Sequence, residues 1–113
     1  MHELSLAMEV ISLAGRETAT KNLKVVREIL IEVGTLSGVE AEAFQWGLEM
    51  LVKGTILEHA EIQVVRTPGK GKCSSCNTEF EMQNRLDICP GCQCFPSEIS
   101  GGTEFRVVSL VAE

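Results

Sequence analysis

The residues with chemistry to offer lie in two places. In the first, Cys73 and Cys76 form the knuckle "CSSC" and Cys89 and Cys92 the knuckle "CPGC", with twelve residues between them. Two Cys-x-x-Cys knuckles each give two thiolates to one ion, and four sulfurs at about 2.3 Å complete the tetrahedron of Zn²⁺. Gly91 relieves the tight turn of the second knuckle. Such a site is closed: it has no position for a water, so it holds a fold together rather than hydrolysing anything. Its binding energy, on the order of 10 kcal/mol, suits a short piece of chain that cannot bury a core alone. The redox alternative, a thioredoxin-like pair, needs one such motif at a strand-to-helix junction, not two. The gap is slightly shorter than the usual ribbon spacing, and the connecting "NTEFEMQNRLDI" is expected to make a small hairpin. Cys94 is left over, either as a free cysteine or as a competitor of Cys92 for the ion.

The second place is the opening, "MHELS". His2 is one of two histidines, the other being His59. Met1 is expected to be retained, because removal of an initiator methionine requires a small second residue. The Met1 amine and the His2 amide nitrogen then close one chelate ring around a metal, and the same amide with His2 Nδ1 closes another. Glu3 offers its amide or its carboxylate as a further donor. Nitrogen-rich planar donor sets suit Ni²⁺ or Cu²⁺. The alternative is a frayed, chemically idle end.

The bulk numbers narrow the function classes. The 113 residues are 44% apolar and carry a net charge of −6, with one Trp and no Tyr. An aliphatic core and one domain, with room for a small inserted module, follow from that length. Between Pro68 and Ser100 the formal charge is −1, and a zinc ion with four thiolates adds about −2. Phosphate attraction is not built into that stretch, so nucleic acid is not an expected partner. No run reaches the roughly 18 apolar residues of a membrane span. The opening has no secretory-leader pattern, so a cytoplasmic location is expected. Five cysteines there read as metal or redox chemistry before disulfides. No Ser–His or Cys–His set presents itself, so no enzyme is read.

These residues need elements to position them. Leu4 to about Lys21 predicts a helix, with Ala7, Met8, Ile11 and Ala14 at spacings of three and four and Leu6, Val10 and Leu13 alongside. Val25–Val33 alternates as a strand. Ser37 and Glu40 have the spacing of a capping box. The helix it opens runs to about Lys53, burying Val39, Ala43, Trp46 or Gly47, and Met50, with Gly54 ending it. Glu40 has a second reading, as an outer carboxylate of the amino-terminal site. Trp46 is core, or, if exposed, the mark of a partner surface. His59 is a solvated turn residue or an extra nickel ligand. Ala60–Thr67 is a second strand, "TPGKGK" a turn and boundary, and Thr103–Ala112 a third strand. The result is an α+β fold with two helices on a small three-stranded sheet, residues 1–67 plus 101–113. A zinc-ribbon-like Cys₄ module, residues 68–100, is inserted on the flanking strands as a stalk.

"MHELS" running into a helix, "VGTLSGVE" leading into a second one and "CSSC…CPGC" before a terminal strand together resemble the hydrogenase nickel-incorporation proteins of the HypA/HybF family. The resemblance spans essentially the whole chain. It implies a metallochaperone that delivers Ni²⁺ during maturation of nickel–iron hydrogenase, with a nickel-binding GTPase partner and the hydrogenase large-subunit precursor as recipient. Carried onto this sequence, it implies His2 as nickel ligand with Met1 and Glu3 nearby, and structural Zn²⁺ on Cys73, Cys76, Cys89 and Cys92. Cys94 is extra to that pattern. The competing reading is a zinc-ribbon interaction or nucleic-acid module with no nickel role.

Overall fold

The computed structural model describes residues 3–95 and 98–113. Its elements are α1 (Glu3–Thr20), β1 (Val26–Gly34), α2 (Ala41–Leu51), β2 (Glu61–Thr67), β3 (Gly69–Lys72), β4 (Glu79–Met82), β5 (Glu98–Gly101) and β6 (Phe105–Ala112). Ala7, Val10, Ala14 and Thr18 form the buried stripe of α1, whereas Met8, expected on that stripe, is exposed. Thr18 is tolerated inside because its hydroxyl donates to the Ala14 carbonyl at 2.8 Å. The helix closes through Asn22 in the left-handed region, with the Leu23 N–H returned to the Thr18 carbonyl.

The second helix departs from expectation at both its start and its face. Ser37 Oγ accepts from the N–H of Val39 in a local turn, and Glu40 itself is the cap, its carboxylate accepting the Ala43 N–H at 2.8 Å. The helix therefore starts four residues past Ser37 and buries Ala41, Phe44, Gly47 and Leu48. Ala43, Trp46 and Met50 face outward. The segment is apolar on both faces, so period alone does not choose between them. Phe44 decides, because its ring meets Phe105 of β6 edge-on at 5.0 Å. Gly54 falls in the turn beyond the cap at Val52.

The body sheet has the order β2-β1-β6. β1 pairs parallel with β2, which α2 makes possible as the crossover, and antiparallel with β6. Both helices pack on this sheet, over the inward Val26, Ile29, Ile31 and Val33 of central β1.

A second sheet, of order β4-β3-β5, carries the cysteines. The "GKGK" expected as a turn is strand β3. "NTEFEMQNRLDI" does not fold back on itself. Its first part is β4, paired antiparallel with β3, so the first knuckle is the hairpin loop. Its second part turns at Asn84–Asp87, where Asp87 Oδ2 accepts the N–H groups of Gln83 and Asn84. β5, which the sequence reading did not find, completes the sheet on the other side of β3.

The glycines at this junction serve close approach. A Cβ on Gly34 would lie 2.2 Å from the Gly102 carbonyl oxygen, and one on Gly69 2.6 Å from the Leu36 side chain. β2 and β6, the strands that flank the second sheet along the chain, lie on opposite sides of β1. The end of β1 grips both connections: Thr35 N–H donates to the Thr67 carbonyl at 2.9 Å and Leu36 N–H to the Gly102 carbonyl at 2.7 Å. Leu36 is buried against Gly69, and its carbonyl accepts from Arg85 Nη2 at 2.9 Å. The molecule is elongated, 54 × 24 × 17 Å. Among the described residues no helix is long and apolar enough to cross a membrane.

Candidate metal centre

The knuckles converge. The sulfurs of Cys73, Cys76, Cys89 and Cys92 all lie within 4.8 Å of one another. Cys73 and Cys92 are 3.3 Å apart, and Cys76 and Cys89 3.6 Å. A tetrahedral ion with sulfurs at about 2.3 Å sets neighbouring sulfurs about 3.8 Å apart, whereas a disulfide needs about 2.05 Å. The spacing thus fits four ligands of one ion and not two bridges. Each knuckle is locally built: Cys73 N–H donates to the Thr78 carbonyl and Asn77 N–H to the Cys73 carbonyl in the first, Gln93 N–H to the Cys89 carbonyl in the second. Asn77 and Gln93 occupy the matching left-handed positions that close the two turns.

The same turns lower the charge penalty of bare sulfur. The Cys76 backbone N–H, followed by the Cys92 thiol, holds the Cys73 thiol below its ordinary range. Gly91 N–H donates to Cys89 Sγ at 3.3 Å. Cys76 has Thr78 Oγ1 3.0 Å away. The thiol donates to that oxygen, and once the sulfur ionises the hydroxyl rotates to donate instead. That hydroxyl, then the Thr78 backbone N–H, brings Cys76 down to about 6. Cys92 is pushed up, chiefly by the adjoining Cys73 sulfur, so one of that pair keeps its proton until a cation displaces it. Cys73 and Cys89 are fully buried and Cys76 is exposed. A soft dication that takes thiolates and needs no open position, Zn²⁺, matches this donor set.

The amino-terminal candidates are only partly in view. Met1 and His2 lie outside the described residues. Glu3 begins α1, and its Oε2 accepts the N–H of Glu40 at 3.3 Å. The starts of the two helices are therefore tied, and Glu40, the cap of α2, stands beside the first turn of α1.

The whole sequence has relatives among known proteins. It matches the family model described as "Hydrogenase/urease nickel incorporation, metallochaperone, hypA" over residues 1–112. The chain belongs to this family. The hydrogenase maturation factor HypA of Francisella philomiragia is 35% identical to it over 98% of each chain. That of Parabacteroides distasonis is 38% identical, covering 98% of this chain and 96% of its own. In fold, the solution structure of the Ni metallochaperone HypA from Helicobacter pylori superimposes with a TM-score of 0.66 at 20% identity, covering 99% of this chain and 97% of that one. The family is one of metallochaperones rather than enzymes.

Other expectations resolve residue by residue. Cys94 is not in the four-sulfur cluster. Its thiol donates to the Cys92 carbonyl at 3.8 Å, and its own carbonyl accepts the Cys89 N–H. His59 is exposed in the turn before β2 and joins no group of potential metal ligands among the described residues. Trp46 is 69% exposed, so the core reading fails. Two residues escaped the sequence reading. Thr78 tunes Cys76, and a hydroxyl two residues past a knuckle cysteine was the available signal. Arg85 anchors the second sheet to Leu36, and nothing local marks it.

Proposed function

We propose that this chain binds Ni²⁺ at its amino terminus as cargo and hands it on during maturation of a nickel–iron hydrogenase. The observation that carries the reading is the family match, which begins at residue 1 and so takes in Met1, His2 and Glu3. Amine, amide and imidazole nitrogens supply the donor set, and the Glu3 carboxylate lies at the first turn of α1. Zn²⁺ is the resident ion: Cys73, Cys76, Cys89 and Cys92 would hold it, and its chemistry there is cross-linking. The division of labour follows residues 1–67 plus 101–113 for nickel and 68–100 for zinc. A nickel-binding GTPase and the hydrogenase large-subunit precursor are the proposed partners, and a reducing cytoplasm the place where such thiols persist.

The test is calorimetric titration of Ni²⁺ into the untagged protein, a version extended before Met1, and His2→Ala. The extension turns the amine into an amide and His2→Ala removes the imidazole, so each is expected to abolish stoichiometric binding. Zinc content, one per chain by metal analysis, should stay unchanged in all three. Equal affinity in all three would move the nickel site elsewhere, with His59 next in line.

A further inference from the structure

α2 uses one apolar face for the core and leaves the other bare. On the bare face Trp46 is 69% and Met50 66% exposed, and Leu4 of α1 beside them is 57% exposed. Single exposed apolar side chains are ordinary, but an adjoining set is a site for something. The shape is specific. Gly47 brings the helices together, since a Cβ there would lie 2.9 Å from Leu4 Cδ2. Leu4 and Gly47 floor a groove of about 550 Å³ walled by Trp46, Met50 and Leu51, with Glu3 at its end. A second hollow on the other side of the indole is lined by Glu40, Glu42 and Ala43.

Charge decides the occupant. Residues 3–15 and 40–52 contain no Lys or Arg, and the nearest base after α2 is Lys53, past its end. Glu42 is one turn before Trp46 and Glu49 one turn after it, so both share the indole's face. A second copy placed here would set acidic rim against acidic rim, as a two-fold contact requires, and an anionic bilayer would be repelled in the same way. We infer that this groove docks a cationic amphipathic helix of a partner protein, its apolar ridge between Leu4, Trp46 and Met50 and its Lys or Arg side chains on Glu42 and Glu49. A guanidinium or ammonium over the exposed indole adds a cation–π contact, and the mode is that of a helix in a groove. The helix would lie against Glu3, beside the first turn of α1. The inference goes beyond nickel carriage and does not depend on what the terminus binds.

The probe is a short helical peptide of leucine and lysine at spacings of three and four, titrated into the full chain without added nickel. Controls are the same peptide with glutamate for lysine and a shuffled peptide of equal composition. The expected result is binding by the first peptide alone, with the Trp46 indole, Leu4 and Met50 moving in ¹⁵N–¹H and methyl spectra. Trp46→Ala should weaken it at least about tenfold, and Glu42→Lys with Glu49→Lys, a surface change that leaves the core intact, should do the same. Rising salt should weaken it too. Equal binding by the shuffled or glutamate peptide overturns the inference, as does a response confined to residues outside the groove. A dimer in sedimentation that Trp46→Ala abolishes would give the groove to a second copy.

Discussion

Cys76 sets the acidity of the cluster. Its thiol is lowered from 9.0 to about 6 by Thr78, while Cys92 is raised by Cys73. Metal binding needs thiolates, so every thiol still protonated in the free site must lose its proton first. From about pH 6 upward Cys76 is already ionised and adds no such requirement, whereas Cys92 adds one throughout. Below about 6 Cys76 takes up a proton, and Zn²⁺ affinity should fall more steeply, by about a further tenfold per pH unit. Competition with a chromophoric chelator at a series of pH values should show that break near 6, and Thr78→Val should move it upward. A wild-type curve with no break there, or one that Thr78→Val leaves in place, would deny Thr78 its part.

Elements in this molecule are joined by backbones that touch, and glycine is what lets them. At Gly34 an added methyl would sit 2.2 Å from a backbone oxygen that cannot rotate away. Gly34→Ala must spread β1 from the connection into β6, and overpacking of this kind costs about 1–3 kcal/mol or more. Gly15 is the contrasting case. It lies inside α1 with nothing within 4 Å of an added Cβ, so Gly15→Ala should stabilise by about 0.5–1 kcal/mol through helix propensity. Denaturant midpoints moving in opposite directions for the two variants would confirm both readings. A neutral Gly34→Ala would mean that the junction yields more easily than its contacts suggest.

Over the whole molecule, two sheets on a long axis are held in one relation by a small joint. Leu36, 3% exposed, plugs the second sheet from the end of β1, and Arg85 returns a hydrogen bond to its carbonyl. Leu36→Ala should cost about 2–4 kcal/mol locally and expose the β3–β5 amides to faster hydrogen exchange, with β1, β2 and β6 little changed. Arg85→Ala removes only the hydrogen bond, so its effect should be smaller and in the same place. Small-angle scattering should then report a broader range of maximum dimensions for Leu36→Ala. Exchange that rises uniformly over both sheets would show one cooperative unit instead of two joined ones.

The four-cysteine cluster was legible in the sequence because a knuckle is local chemistry: two cysteines three positions apart are aimed by their own turn. Strands β1, β2 and β6 were legible from their alternation, and α1 from its stripe, since each repeats over enough residues to outweigh chance. The resemblance that pointed to the family rested on the same local features. The tertiary structure alone decided which face of α2 is core, because apolar residues occupy both faces and only Phe105, far along the chain, selects Phe44 over Trp46. It also decided that Gly69 of "GKGK" and Gly102 of "SGG" serve a close backbone approach, since a glycine needed for a turn and one needed for a close neighbour look alike until the neighbour is in place. β4 and β5 belong to the same class. Their partner β3 is short and glycine-rich, and strand pairing is a non-local choice that four residues of pattern cannot carry.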